Sequence, residues 1–176
     1  MDIIDVLTKD HGEVNQLFGR FQRASKPETL DELAKEIIRE LSIHAAIEEQ
    51  FVYPFLRRTV DDGGGLADHA IDEHQEVKEL LDKLEKMEST QKQFTQTMEK
   101  LIESVREHVA EEEGEVLPKL REATTADLRE KIGAVADKAK SIVPTHPHPM
   151  VPGTATAQLL AGPWASLVDR LRDLVA

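Results

Sequence analysis

Two stretches of this sequence carry the same pattern: residues 44–54 read HAAIEEQFVYP, and residues 108–118 read HVAEEEGEVLP. Each begins with a histidine, has glutamates four and five residues later, and ends in a proline ten residues after the histidine. Four residues turn a helix by about 400°, so the histidine and the first glutamate of each stretch share one helix face. The repeat therefore predicts two equivalent helices, 64 residues apart, that each present a His-Glu pair.

The first helix of each half adds one more histidine to the repeat. His11 lies in DHGEVNQL and His74 lies in EHQEVKEL, and they precede the histidine of the quoted stretch by 33 and 34 residues. At about 1.5 Å of rise per residue, all four histidines fall at nearly one level of an antiparallel bundle. They interrupt otherwise apolar stripes, so we expect them to point into the core.

Apolar residues recur at three- and four-residue spacing along four stretches of residues 1–122. This spacing predicts four amphipathic helices, and four such helices joined by short breaks are typical of an all-α, up-down-up-down four-helix bundle. The DDGGG at 61–65 predicts a flexible break between the halves. Residues 123–176 form a predicted appendage with a polar helix near 125–142, a proline-rich extended segment and a short amphipathic helix around Trp164.

The charge of the chain limits its partners. There are 34 acidic and 22 basic residues, a net charge of -12 with neutral histidines, so we expect neither nucleic acid nor a membrane as a partner. The absence of cysteine excludes disulfides, thiolate zinc sites and iron–sulfur clusters. No apolar run is long enough to span a membrane, and the first residues lack the positive charge of a signal peptide. We expect a cytoplasmic protein, as a monomer or weak homodimer.

Four imidazoles and two carboxylates buried at one level are costly unless something satisfies them. Mutual hydrogen bonds can satisfy part of this demand, as in a helical interaction protein with a polar core layer. A metal pair satisfies more of it, because neutral imidazole and carboxylate are ligands of first-row metals. The pattern therefore favours a metal site built from six side chains: His11, His44, Glu48, His74, His108 and Glu112.

The order of these six residues resembles the hemerythrin-like (HHE cation-binding) family over about residues 1–122. The resemblance implies a non-haem di-iron centre inside the bundle, with two iron ions joined by an oxo or hydroxo bridge. In this arrangement the two histidines of each half hold one iron, and Glu48 and Glu112 bridge the pair. Ferritin-like bundles use Glu-x-x-His instead, and no glutamate lies three residues before any of the four histidines here.

The chain also departs from the oxygen-carrying hemerythrins. They have a further histidine four residues before the one matched by His74, where this chain has Ala70. The nearest alternative, His69, is about 100° off the required helix face, so we expect it at the surface. The resemblance therefore leaves one iron short of a protein ligand.

Tyr53 is a candidate for the missing ligand, because phenolate oxygen suits ferric iron and Pro54 disturbs the local helix. Against this assignment, an ideal helix points residue 53 about 140° away from Glu48. Glu49 and Glu111 are weaker candidates, and we expect both to be solvated at the surface.

The resemblance also implies a function. The leading interpretation is a protein that binds and processes H2O2, NO or O2, in a catalase- or peroxidase-like stress defence. The alternative is reversible binding or storage of O2 or NO, or sensing of iron or oxygen, without turnover. Whether the chain is an enzyme stays open at this point.

Overall fold

A computed structural model of the chain describes residues 1–149, so the expected helix around Trp164 lies outside the described range. Within these residues the chain forms helices and turns, with no strand. The predicted all-α four-helix bundle with additional C-terminal structure is confirmed. No helix in the described range is both long and apolar enough to cross a membrane.

Two helical hairpins make up the bundle. The first consists of α1 (Ile3–Arg23) and α2 (Pro27–Ile47), and the second of α4 (Gly63–Glu85) and α5 (Lys92–Glu111). Two π-helical segments extend α2 and α5 into short helices: Glu48–Val52 leads into α3 (Tyr53–Thr59), and Glu112–Val116 leads into α6 (Leu117–Ala123). The last described helix is α7 (Ala126–Ala139).

The two π segments occupy equivalent positions of the repeat, just before its prolines. Pro54 and Pro118 lie in the first turn of α3 and α6. A proline has no N–H and clashes with the carbonyl four residues earlier, so the regular helical ladder cannot continue through it. In a π turn the N–H instead bonds the carbonyl five residues back, as the Tyr53 N–H does with the Glu48 oxygen. Residues 48 and 53 therefore share a helix face.

The apolar core consists of two clusters, one on each side of the histidine level. On α1, Leu7 belongs to the cluster that α7 covers, whereas Val14 belongs to the cluster near the hairpin turns. On α4, Ala70 and Val77 are divided in the same way around the histidine between them. The histidine level is thus a polar layer enclosed by apolar packing at both ends.

The glycines at 63–65 do not form the flexible break that the sequence predicts. They form the first turn of α4, and the Gly63 N–H donates to the Val60 carbonyl at 2.9 Å. A Cβ at Gly63 would lie 2.0 Å from the Leu56 carbonyl oxygen. The first glycine is therefore required by the close approach of α3 and α4, which sequence composition alone does not reveal.

The appended helix α7 lies against the start of α1. A Cβ at Gly133 would lie 2.2 Å from the Met1 carbonyl oxygen, so the two backbones nearly touch. Nearby, the buried Arg129 guanidinium donates from Nε to Asp2 Oδ2 at 2.7 Å and to the Thr124 carbonyl at 2.6 Å. These contacts fasten α7 to the bundle.

We predict that Gly133→Ala lowers the free energy of unfolding by about 1–3 kcal/mol, because the added methyl group forces α7 away from α1. Urea denaturation measures the change. Gly64→Ala is the matched control, since nothing lies within 4 Å of a Cβ placed there. Equal stability of the two variants would show that α7 does not depend on this close contact.

Candidate metal centre

The four bundle histidines meet inside the core. The Nε2 atoms of His11 and His44 lie 3.2 Å apart, and those of His74 and His108 are also 3.2 Å apart. Each of the four residues is at most 6% exposed. The structure thus brings together, at one level, the side chains that the sequence spacing placed there.

Two glutamates from the π segments complete this layer, and both are essentially inaccessible to solvent. One oxygen of Glu48 lies 3.2 Å from His44 Nε2, and its other oxygen lies 3.1 Å from His74 Nε2. Glu48 therefore faces both halves of the repeat at once. Glu112 Oε2 lies 3.1 Å from His11 Nε2.

These side chains form two groups, in each of which the possible ligand atoms lie within 4.8 Å of one another. The first group has four members and the second has three, with Glu48 shared between them: His11, His44, Glu48 and Glu112, then Glu48, His74 and His108. Sharing of one carboxylate is the arrangement that a bridging ligand requires.

Tyr53 lies beside the smaller group. Its hydroxyl is 3.1 Å from His74 Nε2 and 3.2 Å from Glu48 Oε2. The expectation that residue 53 points away from Glu48 is wrong for this chain, because that angle holds for an α-helix and the local turn is a π turn. The equivalent residue of the second half is Leu117, which offers no ligand atom.

A ring of carboxylates orients the imidazoles from outside. His11 Nδ1 lies 2.8 Å from Glu113, and His108 Nδ1 lies 2.7 Å from Glu73. These contacts place the ring proton on Nδ1, because only an N–H can donate to a carboxylate. The Nε2 atoms, each of which has a lone pair when its ring is neutral, then face the centre of the layer.

The other two histidines have the same kind of partner. His74 Nδ1 lies 3.2 Å from Glu49 Oε1, whereas His44 Nδ1 is 3.7 Å from Asp10 Oδ2, which is longer than a hydrogen bond. Glu49 is only 4% exposed, so the expectation that it is solvated at the surface is wrong. Two sequence features could have predicted this outer ring: the second glutamate of each EE pair, and the acidic residue directly before His11 and before His74.

Two lysines hold the outer carboxylates in turn. The Nζ of Lys78, a buried side chain, donates to Glu49 Oε1 at 2.5 Å. The Nζ of Lys140, directly after α7, donates to Asp10 Oδ1 at 2.5 Å. Lys140 thus links the end of α7 to Asp10, the carboxylate nearest to His44 Nδ1.

The pKa values of the protein without metal reflect the crowding of charge in this layer. Burial alone lowers the pKa of His44, but the carboxylates of Glu48, Asp10 and Glu112 together outweigh it and raise that pKa to about 10. The pKa of Glu48 lies well below its usual value, since His44 and the other imidazoles outweigh the effect of burial. Glu112 behaves oppositely, because burial and then the charge of Glu48 raise its pKa. Protons therefore compete with any cation for this site.

Several buried polar atoms of the layer have no hydrogen-bond partner among the described residues. Glu48 Oε1 and both oxygens of Glu112 accept no well-aligned hydrogen bond, although imidazole Nε2 atoms lie within 3.2 Å of Glu48 Oε1 and Glu112 Oε2. Buried carboxylate oxygens without well-aligned hydrogen bonds are costly, and so are ring nitrogens of two imidazoles crowded to 3.2 Å. Cations bound between these atoms would relieve both costs, so the donor set fits a pair of metal ions.

The surface residues near the layer behave as expected. His69 has a side chain 63% exposed and lies 3.1 Å from Glu111, whose side chain is 59% exposed. Neither side chain enters the buried layer. The outer carboxylate Glu73 lies between them and His108.

A cavity of about 590 Å³ borders the four histidines and is partly open to solvent. Its exposed lining residues belong to α1, to α5 and to the π segment that follows α5, so the cavity opens between these two sides of the bundle. It gives small molecules a path to the imidazoles from outside the bundle.

Comparisons with known proteins agree with this geometry. A family model described as the hemerythrin HHE cation binding domain matches residues 2–120. The chain is 30% identical to an uncharacterized hemerythrin-like protein of Schizosaccharomyces pombe, over 98% of this chain and 86% of that protein. A crystal structure of an HHE cation binding domain-containing protein from Mycobacterium kansasii shares the fold with a TM-score of 0.71 at 23% identity, over 96% of this chain and 98% of that one.

A further relative has a different name. The chain is 30% identical to a protein of Nostoc named DNA nickase, over 141 residues that make up 80% of this chain and 40% of that protein. The chain therefore spans less than half of this relative.

We predict that Lys140→Met weakens divalent metal binding by up to about tenfold, the lower end of the range for groups that orient metal ligands. The substitution frees Asp10 and so loosens the surroundings of His44. Competition with a chromophoric chelator under anaerobic conditions measures the affinity. Lys138→Met is the control, because Lys138 is exposed on the same helix. Equal metal affinities of the two variants would show that the contact between Lys140 and Asp10 does not affect metal binding.

Proposed function

Because the chain belongs to the hemerythrin HHE cation-binding domain family, we propose that it holds two iron ions in its core and uses them to bind and process H2O2, NO or O2. The main support is the buried layer of four imidazoles and two glutamates, with Nε2 atoms paired at 3.2 Å and carboxylate oxygens that lack well-aligned hydrogen bonds. The outer carboxylates add support, because they fix the imidazoles in the tautomer that binds metal.

In this proposal, the two histidines of each half hold one ion, and Glu48 and Glu112 bridge the two. The position of Glu48 supports the bridge, since its two oxygens face opposite halves. Tyr53 adds a ligand on the side of His74. This contact supplies a donor to the half in which residue 70 is alanine.

The donor set supports iron. It contains imidazole, carboxylate and phenol groups and no thiolate, because the chain has no cysteine. Iron bound there would supply reversible one-electron oxidation and reduction next to a small bound molecule. Oxygen-rich ligands stabilise the ferric state, which favours peroxide chemistry over reversible storage of O2.

The chain's own groups serve this chemistry in three ways. The apolar clusters limit the access of water from the two ends of the bundle. The outer carboxylates hold protons on the imidazole Nδ1 atoms. Burial and then the charge of Glu48 raise the pKa of Tyr53 well above its usual value, so its phenol keeps its proton in the protein without metal.

Three measurements test the proposal: the iron content per chain, oxygen evolution after addition of H2O2, and the visible spectrum under cycles of O2 and vacuum. Two irons with peroxide turnover support a catalase- or peroxidase-like enzyme. Two irons with a reversible spectral change and no turnover support the alternative of O2 or NO binding or sensing. A purified protein that neither contains nor takes up iron would refute the metal centre.

The DNA-cleaving activity in the name of the Nostoc relative is not part of this proposal. The net charge of -12 repels the phosphate backbone of DNA, which supplies most of the affinity in nonspecific binding. The chain also spans only 40% of that protein.

We predict that Glu48→Ala loses both metal ions, because a bridging carboxylate serves both. Metal analysis after anaerobic iron loading gives the content, and circular dichroism confirms the helical fold. Glu111→Ala is the control, since that side chain is exposed and outside the layer. Retention of two ions per chain by Glu48→Ala would contradict the bridging role.

We predict that Tyr53→Phe removes the visible phenolate-to-iron absorption band of the ferric protein while the iron content stays near two per chain. The phenyl ring keeps the buried volume and loses only the hydroxyl next to His74. Absorption and resonance Raman spectra measure the band. A spectrum equal to that of the unmodified protein would exclude Tyr53 as a ligand.

A further inference from the structure

The cavity beside the histidines has an apolar inner wall. The wall comes from the turn of each bundle helix next to the histidine, on the side away from Glu48 and Glu112. It consists of Val14, Leu41, Val77 and Val105, together with Phe18. The imidazoles form the polar inner end of this space.

The mouth of the cavity lies between α1 and α5. Gly12 and Asn15 line it on α1, and Arg106 and Ala110 line it on α5, all of them exposed. The Arg106 guanidinium donates to Asn15 Oδ1 at 3.2 Å across the mouth. The small residues leave room for entry, and the arginine already has a partner.

The size of the cavity exceeds what the smallest ligands need. O2, NO and H2O2 are comparable in size to one water, which takes about 30 Å³ of liquid volume. The cavity of about 590 Å³ falls in the range of organic ligand sites, roughly 300–1,000 Å³. An apolar cavity of about 150 Å³ already binds benzene, so this one has room for a substituted aromatic ring.

We propose that this cavity binds a neutral organic molecule with an aromatic or branched apolar body and one terminal O–H group. The apolar body packs against the valine and leucine wall, and the O–H group faces the polar lining, where the Asp10 and Glu113 carboxylates can accept from it. A neutral ligand fits best, because the chain is strongly acidic and the Asp10 and Glu113 carboxylates also line the cavity. Binding requires only the cavity, whereas a role of the ligand as a substrate rests on the proposed iron centre.

The test uses 2-phenyl-2-propanol as the probe and the full chain without metal. Isothermal titration calorimetry is expected to show saturable binding at one site per chain. NMR spectra of the valine and leucine methyl groups are expected to show shifts at Val14, Val77 and Val105. Absence of saturable binding, or shifts confined to other methyl groups, would overturn the proposal.

Two variants with opposite volume changes locate the site. Val105→Phe fills the inner wall and is expected to lower the affinity for the probe at least tenfold, whereas Val105→Ala enlarges the cavity and keeps binding. If Val105→Phe fails to fold by circular dichroism, Val14→Phe fills the cavity from the opposite helix. Unchanged affinity in a folded phenylalanine variant would overturn the proposal, because the probe would then bind elsewhere.

This experiment separates the cavity from the iron centre. Saturable binding by a chain that takes up no iron would support the cavity and refute the proposed function. Iron uptake with peroxide turnover, but no binding of the probe to the chain without metal, would overturn the cavity proposal alone.

Discussion

The structure depends on one constraint, the cost of burying six polar side chains at a single level of an apolar bundle. Carboxylates outside the layer bind the imidazole Nδ1 atoms, and this turns the Nε2 atoms towards the centre. Imidazole nitrogens paired at 3.2 Å and carboxylate oxygens without well-aligned hydrogen bonds are unfavourable in a core. The same arrangement becomes favourable around cations. The centre of the bundle is therefore suited to metal ligation, and the apolar clusters on either side provide most of the packing energy.

The repeat supplies both the inner layer and its surroundings. In each half, the first glutamate of the EE pair enters the layer and the second orients a histidine of the other half. Glu49 of the first half contacts His74, and Glu113 of the second half contacts His11. One difference between the halves bears on the layer, because Tyr53 faces it and the counterpart of Tyr53 is Leu117. The proposed pair of ions would thus have unequal surroundings inside a nearly symmetric scaffold.

Much of this arrangement could be predicted from the sequence, because helical spacing fixes both the face and the level of a residue. The fold and the convergence of the four histidines follow from that spacing. The orientation of Tyr53 and the burial of Glu49 do not, because a π turn replaces the ideal helix there. The repeated proline was the local signal for this turn. The contact between Lys140 and Asp10 joins positions far apart in the chain, and the helical periodicity of a sequence does not predict such a contact.

The exchange of carboxylates between the halves has an evolutionary consequence. A single hairpin has one imidazole without its outer carboxylate, and only a second hairpin can supply it. Two identical hairpins related by a twofold axis would complete each other in the same way, as the subunits of a symmetric dimer do. The present chain therefore has the form expected when the gene for a hairpin that pairs with its own copy is duplicated in tandem.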